Sequence, residues 1–256
     1  MSLWSASGLR PRPRPPLGRE HSGRVSVPEP CPPPPRHLLV YEPDVAAAVF
    51  PPRLHWTRLS VRPGHIASFR ERLAATQPLP NRRASGARIP GGAALGCYVM
   101  PSNPSLFFVA EAADDSMGAG GPTSAGVAAL VSDSLQERPR RVDLALAQQF
   151  SRPVAALPAG AVLRVGRHRT LPDQTPATVE AYTLHVAAQL ADPDSGYLAS
   201  AMYRGVGGAS LLYFFTWFRS RADVERHAHG STLVETRARL TGTLQERLEI
   251  WDLAVA

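Results

Sequence analysis

A short aromatic segment, followed by a histidine, supplies side chains that could act on a flat ligand. Tyr213, Phe215 and Trp217 alternate along the chain, so they share one face of a β-strand and could line a pocket for an aromatic ring. His227 follows Trp217 by ten positions, on a segment with helical spacing. Its imidazole, with a reference pKa of about 6.5, is suited to act as a general base near neutral pH.

Arg167 and Tyr203 complete the set of candidate site residues. Arg167 lies on a predicted strand, from which its guanidinium could stabilise an oxyanion, and Tyr203 is a candidate for substrate binding. Each candidate also has a structural interpretation. The aromatic side chains could form the core of a sheet, His227 could be a packed helix residue, and Arg167 could belong to a solvated strand face.

The sequence offers little for a metal ion or a bound cofactor. His227 and His229 point to nearly opposite faces of a helix, which makes a poor metal-binding pair. Cys31 and Cys97 are not in a CxxC pair. The chain contains no lysine, which excludes Schiff-base nucleophiles, P-loop lysines and pyridoxal anchors. We therefore expect neither a metal nor a protein-bound cofactor.

The positive charge is concentrated at the start of the chain. The net charge is +7, and residues 1–36 contain six arginines against two glutamates, so they account for most of it. This segment is rich in proline, which predicts a disordered, extended tail. No RNA-binding or recognition-helix motif is present, so no nucleic-acid partner is expected. No apolar run approaches the roughly 20 residues of a membrane span, so we expect a soluble, cytoplasmic protein with no membrane partner.

Two stretches of the chain repeat each other. Residues 96–113 and 199–217 are each typical of two apolar strands around a polar turn, and Tyr98 and Tyr203 occupy matching places 105 positions apart. This spacing indicates duplication of a domain of about 100 residues. The expected boundaries are 37–150 for the first domain, 151–160 for a linker and 161–256 for the second domain.

The predicted elements have the order strand, helix, hairpin, helix, strand in each half. In the second half Ser220 caps the helix that follows the hairpin, and Asp223 suits its first turn. In the first half residues 127–150 are predicted to be capable of forming a helix, which Pro139 interrupts. The βαββαβ order predicts an α+β protein, in which two tandem ferredoxin-like domains form an α+β barrel.

Sequence segments in both halves resemble motifs of the antibiotic biosynthesis monooxygenase (ABM) domain, a dimeric α+β barrel. Trp217 ends an aromatic-rich strand, Ser220 follows three positions later, and His227 ten positions after Trp217. The segment Val61-Arg62-Pro63-Gly64-His65, leading to Phe69, is similar to the family's first strand-to-helix junction. The resemblance covers residues 54–253. It implies a cofactor-independent monooxygenase that uses O2 on an aromatic polyketide or quinol-like molecule of secondary metabolism.

The first half departs from the second-half motif. Ala113 stands where the tryptophan is expected, and Thr123 stands where the histidine is expected. We therefore expect a degenerate first domain that completes the barrel, with the active pocket in the second domain.

Other functions stay open at this stage. The chain could be a non-enzymatic ligand-binding or polyketide cyclase-type accessory protein, or an interaction module. It could also be a haem-degrading oxygenase, but that branch expects an asparagine on the first strand where Arg167 stands, so haem is disfavoured. Duplication could supply both halves of the family's dimer, which implies a monomer with an intramolecular pseudo-dimer, or a homodimer.

Overall fold

Eight strands form the framework of the protein. The computed structural model describes residues 50–76, 96–113, 129, 132–152 and 157–255. The predicted tail, residues 1–36, lies outside this part of the chain, as does Thr123. The strands are β1 (Arg53–Ser60), β2 (Gly96–Met100), β3 (Asn103–Ala112), β4 (Arg140–Ser151), β5 (Val162–Arg169), β6 (Tyr197–Gly205), β7 (Gly208–Phe218) and β8 (Glu249–Val255).

The strands close into one barrel in the order β1-β3-β2-β8-β5-β7-β6-β4, and every pairing is antiparallel. Within each half the first strand lies between the third and the fourth, and the second strand lies beside the third. Two seams join the halves, one between β2 and β8 and the other between β4 and β6. The expected α+β barrel is confirmed at this level, while the domain boundaries stay a prediction.

One predicted helix is partly a strand. The sequence predicts that residues 127–150 can form a helix, but residues 140–151 form strand β4. This strand pairs with β1 on one side and with β6 on the other. Local helix propensity is a weak preference, and the hydrogen bonds and packing gained by closing the barrel outweigh it. Residues 127, 128, 130 and 131 of the same stretch lie outside the described residues.

Helices cover the outer face of the sheet. They are α1 (Ile66–Thr76), α2 (Thr175–Ala191), α3 (Arg221–His229) and α4 (Ser231–Leu240). The helix predicted after the hairpin is therefore two helices, divided at Gly230. None of the helices in the described ranges has the length and apolar character that crossing a membrane requires.

The cap at the start of α3 is confirmed. The Ser220 hydroxyl accepts a hydrogen bond from the Asp223 backbone N–H at 3.3 Å and donates one to the Asp223 carboxylate at 2.7 Å. Gly196 sits against this cap with φ +70°, and a Cβ there would lie 2.2 Å from Cγ of Asp223. Glycine is needed at position 196 for both its left-handed conformation and its lack of a side chain.

Alternation along the strands divides the buried side chains between two sides of the sheet. On β7, Phe215 and Trp217 belong to the core inside the barrel, whereas Phe214 and Phe218 belong to the core beneath the helices. We call the second side the helix face. The first half has its own core on this face, formed by Leu59, Val61, Phe69, Leu73, Cys97, Val99, Phe107 and Val109.

Candidate active site

The predicted aromatic wall lies inside the barrel. Phe215 and Trp217 are fully buried there, and the Phe215 ring meets Trp56 edge-on at 5.0 Å between centroids. Tyr203 is also buried in the barrel, where its hydroxyl donates to the carbonyl of Pro51 at 2.9 Å. These contacts cross between the two halves, so the side chains pack the centre of the molecule.

Arg167 and Tyr213 lie on the same side of the sheet as this barrel core and face each other across β5 and β7. The Arg167 guanidinium forms ion pairs with Glu249 at 2.9 Å and with Glu246 at 3.4 Å. Burial raises the pKa of Tyr213, and the Arg167 charge opposes that rise. Arg167 therefore already has two carboxylate partners.

His227 lies on the opposite side of the sheet from the other five candidates. It points from α3 into a cavity of about 80 Å³ beneath α2, α3 and α4 in the second half. Tyr203, Tyr213, Phe215, Trp217 and Arg167 do not line this cavity. The structure thus does not bring the predicted set together, because residues at odd positions of β5 and β7 face the barrel while the cavity is lined from even positions.

The cavity has an apolar, aromatic wall. Phe214, Phe218, Tyr182 and Tyr197 contribute rings, and aliphatic side chains from α4 and from the region of β8 close the other side. Phe218 packs 5.1 Å from the His227 ring and 5.0 Å from the Tyr197 ring, between centroids. Such a lining, with a few convergent polar groups, is typical of a small-molecule site.

Three histidines line this cavity: His168 from β5, His185 from α2 and His227 from α3. Burial lowers the pKa of His168 and of His227 to about 3, and that of His185 to about 4. The neighbouring His185 and the charges of Arg164 and Arg237 lower the pKa of His227 further. All three imidazoles are therefore neutral at physiological pH, and each carries a lone pair.

The hydrogen bonds of His185 fix which of its nitrogens carries the proton. Nδ1 lies 3.0 Å from the hydroxyl of Thr236, and that hydroxyl donates its only proton to the carbonyl of Thr232 at 2.7 Å. The hydroxyl can then only accept from His185, so Nδ1 carries the proton and Nε2 carries the lone pair. A hydrogen bond with the Thr232 backbone also acts on this imidazole and partly opposes the lowering of its pKa by burial.

Four hydroxyl groups form a buried network at the floor of the cavity. The Tyr182 hydroxyl lies 2.5 Å from that of Ser200 and 3.2 Å from that of Thr216, and the Tyr197 hydroxyl also lies 3.2 Å from Thr216. The Ser200 hydroxyl donates to the carbonyl of Phe215 at 3.1 Å. Burial raises the pKa of both tyrosines, so they stay protonated and can donate hydrogen bonds.

Arg164 occupies the strand position that faces the cavity, three residues before Arg167. Its guanidinium binds Asp252 through two hydrogen bonds, at 2.7 and 3.1 Å, and lies 5.8 Å from the centre of the Phe218 ring. Arg221 donates to the same carboxylate at 3.2 Å. The charge of Arg164 is thus balanced, and its orientation is fixed.

Gly166 gives the cavity part of its space. It lines the cavity from the middle of β5, and a Cβ at this position would lie 3.3 Å from Nε2 of His168 and 3.9 Å from Cβ of Phe214. A glycine inside a strand often marks such an approach. The sequence therefore carried a signal for the cavity at this position.

The strand register identifies the corresponding positions of the first half. Leu54 pairs with Ala112 as Leu163 pairs with Trp217, so Ala112, rather than Ala113, stands where the second half has its tryptophan. In the same register Thr57 corresponds to Gly166, and Leu59 to His168. The first half thus has bulkier and more apolar residues at the positions that open the cavity in the second half.

His185 and Tyr182 were not among the sequence-based candidates. Both lie on the buried side of α2, whose buried residues include Thr178, Ala181, Tyr182, His185, Val186 and Gln189. Histidine, threonine and glutamine on the buried side of an otherwise apolar helix are the signal that could have found this wall. Despite the three histidines, the described residues contain no cluster of three or more side chains arranged to hold a metal ion.

Comparisons of the sequence alone find no matching family model and no matching curated protein. Solved structures do match. A "putative monooxygenase" of Fusobacterium nucleatum subsp. nucleatum superposes with a TM-score of 0.62 at 9% identity, covering 80% of this chain and 93% of that one. A protein of the same name from Lactobacillus acidophilus gives 0.55 at 10% identity, covering 79% and 92%. An anthrone oxidase-like protein gives 0.53 at 11% identity, covering 82% and 93%.

Each of these solved chains aligns over nearly its whole length with about four fifths of this chain. Each alignment therefore spans both halves of the barrel. Identities near 10% concern the fold, since one fold serves several chemistries. The resemblance to the antibiotic biosynthesis monooxygenases is thus confirmed at the level of the fold, which this chain shares with solved structures that bear monooxygenase names.

Proposed function

We propose that this chain is a monooxygenase acting on a phenolic or quinol-like aromatic molecule, and that the cavity on the helix face of its second half is the active site. The observation that carries the proposal is the neutral His185 imidazole, which lines an aromatic cavity and is oriented by the Thr236 hydroxyl at Nδ1. The names of the structures that share the fold support the same class of reaction.

In this proposal His185 replaces His227 as the proton acceptor. A phenol held against Phe214 and Phe218 would pass its proton to Nε2 of His185. The positive charge formed on the buried imidazole would be offset by the phenolate formed beside it. His227, whose ring lies 5.0 Å from that of His185, would shape the cavity and keep water away from the pair.

The remaining chemistry belongs to the substrate and O2. The electron-rich phenolate reduces O2 and forms a C–O bond at a ring carbon, which gives a hydroperoxide after the proton returns. Loss of water from that carbon leaves a carbonyl. The balance is phenol plus O2 to quinone plus water, in which one oxygen atom stays on the ring and the other leaves as water. No metal or flavin is required in this scheme, and the donors of the hydroxyl network would hold the phenolate oxygen.

The other five predicted residues receive structural roles in this proposal. Tyr203, Tyr213, Phe215 and Trp217 would hold the two halves together inside the barrel, and Arg167 would anchor β5 to the acidic residues that it already binds. The size of the cavity, about 80 Å³, also argues against haem, because its four pyrrole rings exceed that space.

Oxygen uptake by the purified chain tests the proposal, over a panel of quinols, naphthols and anthrones, after metal removal and without flavin. We expect uptake matched by quinone formation, and a loss of about a hundredfold or more in kcat for His185→Gln, which keeps a polar side chain beside Thr236. His229→Gln, an exposed histidine on α3, is the control and should be unaffected.

Two results would contradict the proposal. Activity that depends on added metal or flavin would show that the reaction is not cofactor-independent. Tight binding of the panel with no uptake would instead favour the ligand-binding or cyclase-type function. Far-UV circular dichroism of each variant separates loss of activity from loss of folding.

A further inference from the structure

The cavity contains cationic and neutral groups but no acidic one. Its lining includes two arginines and three histidines, and no aspartate or glutamate among the described residues. Because the histidines are neutral and Arg164 is paired with Asp252, the charge that remains in the lining is that of Arg237.

Arg237 lies on α4, where the cavity reaches the surface. It is exposed, as is Ile250 of β8, and both line the cavity. No described carboxylate lies within ion-pair distance of the Arg237 guanidinium. Its charge nevertheless acts on the interior, because it helps to lower the pKa of His227. Arg237 is therefore an unpaired cation at the mouth of a cavity whose other cation, Arg164, is paired with Asp252.

The space available limits what can lie between Arg237 and His185. The cavity of about 80 Å³ is smaller than the ~150 Å³ of an apolar cavity that holds benzene, so it encloses no more than part of one ring, and the rest of a ligand must extend into its mouth. Substituents of that ring must point towards the mouth, where Arg237 stands. A guanidinium pairs best with a planar carboxylate, to which it can donate two parallel hydrogen bonds.

We infer that the ligand of this cavity is a single-ring phenol or quinol that carries a carboxylate, with Arg237 as the residue that selects for the charge. The inference rests on the proposed function for the phenol end of the ligand. It differs from the polyketide expectation, because a molecule of several fused rings would have to displace the walls of the cavity.

A matched pair of probes tests the selection for charge. 2,5-Dihydroxybenzoate and 2,5-dihydroxybenzamide have nearly the same shape and differ in charge. We expect the benzoate to bind about tenfold more tightly in calorimetric titrations at low salt, since hydrogen bonds to charged groups contribute that much. Arg237→Gln should weaken binding of the benzoate about tenfold and leave the benzamide unchanged. Arg239→Gln, an exposed arginine two residues later on α4 that does not line the cavity, should change neither.

Equal binding of the two probes to the unmodified chain would overturn the inference, as would an equal loss of both in Arg237→Gln. These failures are distinct from failure of the proposed function. If O2 uptake occurs only with uncharged quinols, the proposed oxygenase activity is supported and the carboxylate on the ligand is excluded. If the benzoate binds through Arg237 and no substrate gives O2 uptake, selection for the carboxylate is supported and the oxygenase activity is excluded.

Discussion

The helix faces of the two halves differ in what fills the same places in the sheet. In the first half Thr57 and Leu59 are buried beside Phe107 and Val109, and α1 closes that face with Phe69. In the second half Gly166 and His168 stand at the positions of Thr57 and Leu59, and the space between sheet and helices is a cavity. Among the described residues, the same backbone framework thus carries an apolar core in the first half and a candidate site in the second, and a few side chains at equivalent positions differ between the two halves.

The buried histidines of the second half predict a large loss of stability in mild acid. Their folded-state pKa values, about 3 to 4, lie below the ordinary value of 6.5, so the unfolded chain binds more protons. Their contribution to stability is complete above pH 6.5 and falls as the pH drops towards 4. With three such groups, we expect the free energy of unfolding to decrease by roughly 4 kcal/mol per pH unit below about pH 6.

Urea unfolding at a series of pH values between 7 and 5 measures this slope. The control variant His168→Leu copies the residue found at Leu59 of the first half and should lower the slope by about a third. A slope that stays the same in this variant would show that His168 is not a buried neutral group.

Substitution of the tryptophan inside the barrel should distinguish the contribution of the barrel core to stability from the contribution of the cavity to ligand binding. Trp217 lies in the core shared by both halves, 6.1 Å from the Tyr98 ring between centroids. Trp217→Ala should lower the free energy of unfolding by about 3–5 kcal/mol. Binding of aromatic ligands at the helix face should be unchanged, which calorimetric titration would reveal. If the alanine variant does not fold, Trp217→Phe provides the same test. A loss of ligand binding without a loss of stability in this variant would show that Trp217 contributes to the binding site.

The smallest substitution acts on the cavity alone. Gly166→Ala places a methyl group 3.3 Å from Nε2 of His168, and we expect it to weaken binding of a single-ring quinol by about tenfold. Stability should change little, because the gain of about 0.5–1 kcal/mol from alanine in a strand interior is offset by the shift that the new methyl group imposes on the buried His168 ring. Thr57→Ala is the corresponding change in the first half and should not affect binding. An unaltered affinity in Gly166→Ala would place the ligand elsewhere.

The sequence predicted the framework better than the site. Alternation of Tyr213, Phe215 and Trp217 correctly indicated a shared strand face, but a period of two does not say which face is turned to the barrel. The sequence analysis selected Arg167, which lies on the barrel side of β5, whereas Arg164 faces the cavity. His227 was placed on the right helix by its spacing from Trp217. Its nearest imidazole, His185, comes from α2, and contacts between elements distant in sequence are fixed only by the tertiary structure.

The two seams of the barrel are made within one chain. One follows the length of β6, and the other joins Tyr98 and Val99 to Val255 and Ala254. Two separate subunits would lose translational and rotational freedom on forming such seams, so their barrel would come apart on dilution. Covalent linkage removes that dependence on concentration. It also releases the halves from having identical sequences, so that one half can lose its cavity and serve as a scaffold while the other retains room for a ligand.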